Sequence, residues 1–204
     1  SGLLSYDPGL SFRLISAANS PWYNRGNRVT SVGIAVSLLG LDEVKNLVTC
    51  AIFYDGILKK SGLRRKETLQ FWRHSLLTGF ATRTLANNTR RNGDEPPAGS
   101  DESFTAGLLH DIGKIPFVVN PDLRSASILS WHDSTMKEQQ KFGVDHCEVG
   151  FLMAREWKLP EGYQYVIKSH HRERAVRSPE RSLEALIGEA DFLVTSETED
   201  EECL

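Results

Sequence analysis

Cysteine is scarce in this chain: three residues, Cys50, Cys147 and Cys203, lie far apart and form no CxxC pair. That spacing argues against a zinc knuckle and fits a reducing compartment, so the expectation is a cytoplasmic protein. Long apolar runs are missing as well. The longest, Gly33 to Leu41, is interrupted by Ser37 and is far too short to span a bilayer. Positive charge is not in excess, since 24 Lys and Arg face 27 Asp and Glu for a formal net charge of −3. Without a basic footprint, neither nucleic acid nor a membrane surface is an expected partner. There is no strand-like alternation of useful length, no internal repeat and no secretory signal at the start. Ser1-Gly2 in place of Met reads as an expression scar.

What remains is an ordinary globular composition, 40% apolar and 25% charged over 204 residues, enough to bury a core without disulfides. The periodicity is helical throughout, so the expected class is all-α. A short helix follows Asp7, with Phe12, Ile15 and Ala18 at helical spacing, and Trp22 and Tyr23 are expected to anchor the next loop on the core. Val32, Val36 and Leu39 mark a second helix ended by Gly40. Asp42 is expected to cap a third, whose inner stripe is Val44, Leu47, Val48, Ala51 and Ile52. These helices carry no His and are assigned scaffold or partner-binding duty.

Glu67 to Arg91 reads as a long helix with Phe71, His74, Thr78, Ala81 and Leu85 on one side. After a polar loop over 92–101 comes a short apolar helix ending in His110-Asp111, with Gly113 and Lys114 beyond. A helix over Leu123 to Lys141 would hold His132 at an exposed or supporting position. Asp145 and Glu148 form a capping pair at the start of the next helix, which places His146 in its first turn. Pro160 is expected at the first position of another, with Tyr163, Val166, Ile167 and His170 on one face and His171 adjacent. A last helix starts at Ser178-Pro179, with Leu183, Leu186, Ile187, Ala190 and Val194 inward and Asp191 beside that stripe. The acidic run from Glu197 onward is expected to be solvated. The resulting organisation is an N-terminal helical lobe over 3–66, a core over 67–196 and an acidic tail over 197–204.

Imidazole and carboxylate groups together suit a divalent transition metal, which accepts nitrogen and oxygen donors. Adjacent residues on a helix fan out by about 100 degrees. Neither His110-Asp111 nor His170-His171 should therefore direct both side chains at one ion. Two doublets aimed at one cavity suit two neighbouring ions, or one ion with supporting partners. The residues alone equally allow hydrogen-bonded core histidines with no metal. Lys114 can complement a helix C-terminus or meet a phosphate oxygen as a point charge.

The order His74, His110-Asp111, His146, His170-His171, Asp191 resembles the ligand order of the HD phosphohydrolase superfamily, including its cyclic-dinucleotide phosphodiesterase branch. More closely, the chain resembles an HDOD domain, the HD-related output domain of bacterial signalling proteins. The passages that carry this are Asp7-Pro-Gly-Leu through Ala18-Asn-Ser20, Trp72-Arg-His-Ser75, Ala106 through His110-Asp111-Ile-Gly-Lys114, and Asp145-His146 through Leu159-Pro160 to His170-His171. The resemblance implies an N-terminal helical lobe on an HD-type core, and a regulatory role through signalling protein domains or a nucleotide ligand. It also implies metal ligation by His74, His110, Asp111, His146, His170, His171 and Asp191, for one or two ions of iron, manganese or a similar metal. If the domain is catalytic, it would be a metal-dependent phosphohydrolase with Asp111 and Lys114 in the reaction. The chain departs from the phosphodiesterase branch after His171, where Arg172 to Ser178 contains no Gly-Tyr-Pro loop. That departure counts against cyclic-di-GMP as substrate. Oligomeric state is not legible in the sequence.

Overall fold

Asp7 begins the first helix because its carboxylate accepts the Leu10 amide at 3.0 Å while Pro8 supplies a preset φ at the first helical position. The computed structural model describes the backbone of residues 7–24, 26, 28–120, 134–171 and 182–202, and the side chains of all of these except 134 and 197–202. Among the described residues every regular element is helical and none is a strand, as the all-α expectation requires. The chain forms two compact units, Ser1–Ile57 and Leu58–Leu204.

The first unit contains α1 (Pro8–Ala18), α2 (Val32–Leu39) and α3 (Leu41–Ile52), followed by a π-helical turn, Phe53–Leu58. Its core is Leu14, Ala18, Val29, Val32, Ala35 and Val44, with Leu47 and Val48 packed against it. The connection after α1 is held by a polar clamp, and of its two aromatics Tyr23 is half-buried. The Asn19 amide donates to the Ile15 and Val29 carbonyls at 2.8 and 2.7 Å and accepts the Val29 amide at 2.8 Å. That leaves Trp22, 83% exposed, with no anchoring duty, contrary to expectation. Phe12 also faces solvent. Gly40, at φ +80°, ends α2 and caps α3, so Asp42 lies inside the first turn and pairs with Lys45. Ile52 is exposed, and in the π turn that follows it is Phe53 that is buried instead.

The second unit contains α4 (Arg65–Arg91), α5 (Ser100–Leu109), α6 (Lys114–Val119), α7 (Ser134–Phe142), α8 (His146–Glu156), α9 (Glu161–Ser169) and α10 (Leu183–Glu202). The inner face of α4 carries Phe71, His74 and Thr78 as expected, then continues through Thr82 and Ala86 while Ala81 and Leu85 are half-buried. That face is lined with small residues because α5 lies very close. A Cβ on Gly107 would come within 2.7 Å of the Thr82 hydroxyl and 2.9 Å of the Gly79 Cα. A second contact of this kind brings the turn after α5 against α8. A Cβ on Gly113 would sit 1.9 Å from the His146 carbonyl oxygen and 2.5 Å from the Gly150 amide. Glycines thus set the spacing of the helices around the histidines.

Pro116 does not break the chain. It lies in the first turn of α6, where its missing N–H needs no partner. Asp145 caps α8 by accepting the Glu148 amide at 2.9 Å, and Pro160 is the N-cap of α9, one position earlier than expected. The inner stripe of α10 is Leu186, Ile187, Ala190 and Val194, with Leu183 half-buried, and the acidic run through Glu202 continues this helix. His132 and the Ser178-Pro179 step fall outside the described residues.

Candidate metal centre

Seven residues singled out in the sequence come from five helices and the turns at their ends. His74 lies midway along the inner face of α4, and His110 is the C-cap of α5. Asp111 occupies the turn that follows. His146 is the first residue of α8, His170 the C-cap of α9, and Asp191 lies in α10. His74, His110 and Asp111 offer ligand atoms within 4.8 Å of one another, and so do Asp111, His146, His170 and His171. Asp111 belongs to both groups. Asp191 joins the first, its Oδ1 at 3.1 Å from His74 Nε2 and 3.6 Å from His110 Nε2. All are buried except His171, whose ring lies against that of His170 with centroids 4.3 Å apart.

The adjacent pair behaves differently from the helical expectation. His110 Nε2 and Asp111 Oδ2 approach to 3.4 Å and face the same site. They do so although His110 itself keeps helical backbone angles and the chain continues through tight turns at 109–114.

Three imidazoles have their outer nitrogens tied down. His110 Nδ1 donates to the Gly107 carbonyl at 2.7 Å, and His170 Nδ1 donates to the Ile167 carbonyl at 2.9 Å. His146 Nδ1 donates to the Glu138 carboxylate at 2.7 Å. A carbonyl or carboxylate only accepts, so each Nδ1 carries the proton and each neutral ring turns an Nε2 lone pair inward. Those of His146 and His170 meet each other and a carboxylate, while that of His110 meets His74 Nε2, which can itself donate to Asp191. His74 Nε2 and His110 Nε2 are 3.4 Å apart, as are His146 Nε2 and His170 Nε2. Asp111 Oδ1 lies 3.2 Å from His146 Nε2 and 3.5 Å from His170 Nε2. Lone pairs converging on lone pairs and carboxylates require positive charge between them. Extra protons or a divalent cation would supply it, so the donor set fits a metal.

The electrostatics agree. Burial alone would raise the Asp111 carboxyl, but Lys114 at 2.7 Å, with the neighbouring imidazoles, holds it well below the usual range. Burial would likewise neutralise Lys114, yet Asp111 and Asp191 keep it charged. Lys114 opens α6 and is buried, so its charge serves Asp111 and does not stand at a helix C-terminus. The His170 imidazole, which burial would lower, is pushed up to about 9 by Cys147 and Asp111 beside it. The Cys147 thiol is brought down to about 7, since His170 and His146 outweigh its burial. Despite burial, His146 is also raised, by Asp111 and Glu138 beside it, whereas burial lowers His110 and His171.

Two residues here were not singled out in the sequence. Cys147, set aside for want of a partner cysteine, has its Sγ 3.6 Å from His146 Nε2. Its position next to His146 in a first helical turn was the available signal. Glu138 had none, being one charge among several on α7, between Lys137 and Lys141.

The HDOD domain family model matches residues 1–173. An uncharacterised protein of Treponema pallidum (strain Nichols) is 27% identical over 179 residues, and the match covers 83% of this chain and 32% of that protein. The crystal structure of an HDOD domain protein of unknown function from Geobacter sulfurreducens superposes with a TM-score of 0.72 at 27% identity, covering 94% of this chain and 63% of that one. A candidate phosphohydrolase from Shewanella amazonensis SB2B matches with a TM-score of 0.70 at 25% identity, covering 98% and 69% of the two chains. The chain therefore spans about a third of the curated relative it matches and under two thirds of the Geobacter chain. With a family match across most of its length, a shared helical fold and the HD-type residues gathered in one place, the chain belongs to the HDOD domain family.

Proposed function

We propose that this chain is a bacterial signal-transduction domain that acts by binding a partner protein domain or a nucleotide, and that it retains an HD-type metal site. The observation that carries the metal reading is the convergence of imidazole Nε2 lone pairs on the Asp111 and Asp191 carboxylates. One or two ions such as iron or manganese would be held by His74, His110, Asp111, His146, His170, His171 and Asp191, with Asp111 shared. The division into a helical lobe over 3–66, a core over 67–196 and a tail from 197, and a cytoplasmic location, belong to the same proposal. No helix among the described residues is long and apolar enough to cross a membrane.

A regulatory role is favoured over turnover by the state of Lys114. The residue expected to meet a phosphate oxygen has its ammonium buried and 2.7 Å from Asp111, where it holds the carboxylate in place. The second reading, a metal-dependent phosphohydrolase, is favoured by the complete ligand set and the likeness to the Shewanella protein. A bound divalent metal would supply a more acidic water and polarise a phosphoryl oxygen. Around it, the residues hold Asp111 ionised, orient the imidazoles through their Nδ1 bonds and keep bulk water from all but the His171 side.

Elemental analysis of protein purified without chelator, repeated on His110→Ala, tests the metal site. Stoichiometric metal lost in the variant is the expected result, and an empty wild type would overturn it. Assay of the loaded protein on bis(4-nitrophenyl) phosphate separates the two readings. Robust turnover abolished by Asp111→Asn would replace the regulatory account with the hydrolase.

A further inference from the structure

Glu138 is a buried carboxylate on a short helix that supplies none of the candidate ligands. It is 1% exposed, on α7, whose described neighbours of 138 are mostly at the surface. A buried carboxylate is costly to house unless its oxygens are engaged. Both described bonds of Glu138 go to one residue: Oε2 accepts the His146 backbone amide at 2.8 Å and the His146 Nδ1 proton at 2.7 Å. Among the described residues, Oε1 has no hydrogen-bond partner. His110 and His170 are fixed differently, each on a carbonyl three residues back in its own helix. The His146 ring is therefore held from a separate element, and by a charged acceptor.

From this we infer that Glu138 is the positioning residue for His146, fixing its ring and strengthening its Nε2 as a donor, and that it thereby ties α7 to the loading of the metal site. The inference rests on the metal reading above. A carboxylate on the outer nitrogen of a ligating imidazole fixes the tautomer and raises its basicity, and losing such a partner typically weakens metal binding ten- to a hundredfold. Here the same oxygen also accepts the first amide of α8, so the ring and the helix carrying it are set by one group. Loading the site should pull on Glu138 through His146 and so protect α7.

The test uses the whole chain with Glu138→Gln and Glu138→Ala. Proton NMR of metal-free protein should show the His146 Nδ1 proton as a downfield, slowly exchanging resonance in the wild type and in Glu138→Gln, and not in Glu138→Ala. Manganese affinity, measured by competition with a chromophoric chelator, should fall ten- to a hundredfold in Glu138→Ala and less in Glu138→Gln. Hydrogen exchange should show amides 135–142 gaining protection on manganese loading in the wild type and losing that gain in Glu138→Ala. Persistence of the resonance, or wild-type affinity, in Glu138→Ala would overturn the inference. A wild type that binds no manganese would instead sink the metal reading, and the resonance would still decide whether Glu138 holds His146.

Discussion

The N-terminal unit buries Leu14, Ala18, Val29, Val32, Ala35 and Val44 together, whereas the C-terminal unit adds to apolar residues such as Phe71, Phe104, Leu108 and Ile187 a buried polar cluster of His74, His110, Asp111, Lys114, Glu138 and His146. An apolar interior is held by non-directional contacts, and a substitution that keeps volume and polarity is tolerated. A polar interior has no such latitude. Each group depends on a named partner, and removing one leaves another buried and uncompensated. The apolar core of the first unit should therefore tolerate substitution more readily than the polar cluster of the second.

The sharpest way to break the contrast is Gly113→Ala. Its new Cβ would sit 1.9 Å from a backbone carbonyl with no flexible side chain to yield. A loss of about 4 kcal/mol or more is expected, with metal content gone, read from guanidinium unfolding and elemental analysis. Next is Asp111→Ala, which strands the Lys114 ammonium inside. In metal-free protein it should cost about 3–5 kcal/mol, and the double variant with Lys114→Met should recover part of that. If the double variant were as unstable as the sum of the singles, the buried pair would not be coupled.

Leu14→Ala probes the other interior. It should cost about 3 kcal/mol and leave bound metal per folded molecule unchanged. Acid sharpens the contrast further. The Asp191 carboxyl is held below its usual range because His110 and His74 outweigh burial, and Asp111 is held down as described. Carboxylates with lowered native values stabilise the fold above their unfolded value, here 3.8, and that stability is lost as pH falls toward the native values. Hydrogen exchange on chelated protein between about pH 6 and about pH 3 should show α4 and α5 losing protection more steeply than α1–α3. Equal loss in both would mean the carboxylates contribute little. Smallest of all, Trp22→Ala should change stability by no more than about 0.5 kcal/mol, since the Asn19 clamp holds that loop.

The sequence made the site more legible than the scaffold. Polar residues at inward helical positions stand out against apolar stripes, so spacing placed His74 and His170 inward and Asp191 beside a stripe, while their reading as ligands came from the family resemblance. That His110 and Asp111 face one site was not legible from spacing, and depends on tertiary contacts. The close approach at Gly113 is one such contact, invisible to a reading of periodicity. Glu138 was hidden because a charge on a polar helix looks solvated until its neighbour across space is known. In the scaffold, Trp22 and Ile52 misled because apolar character was taken for burial.

The bonds from His110 Nδ1 to Gly107 and from His170 Nδ1 to Ile167 have a consequence beyond tautomer choice. Each imidazole bonds a last-turn carbonyl of its own helix, a group that would otherwise lack an intrahelical donor. The ring is thus both ligand and stopper. Swinging it away from an ion would uncap the end of α5 or α9, and fraying either end would swing the ring away. Movement of either ring and fraying of the helix end it caps are therefore one event.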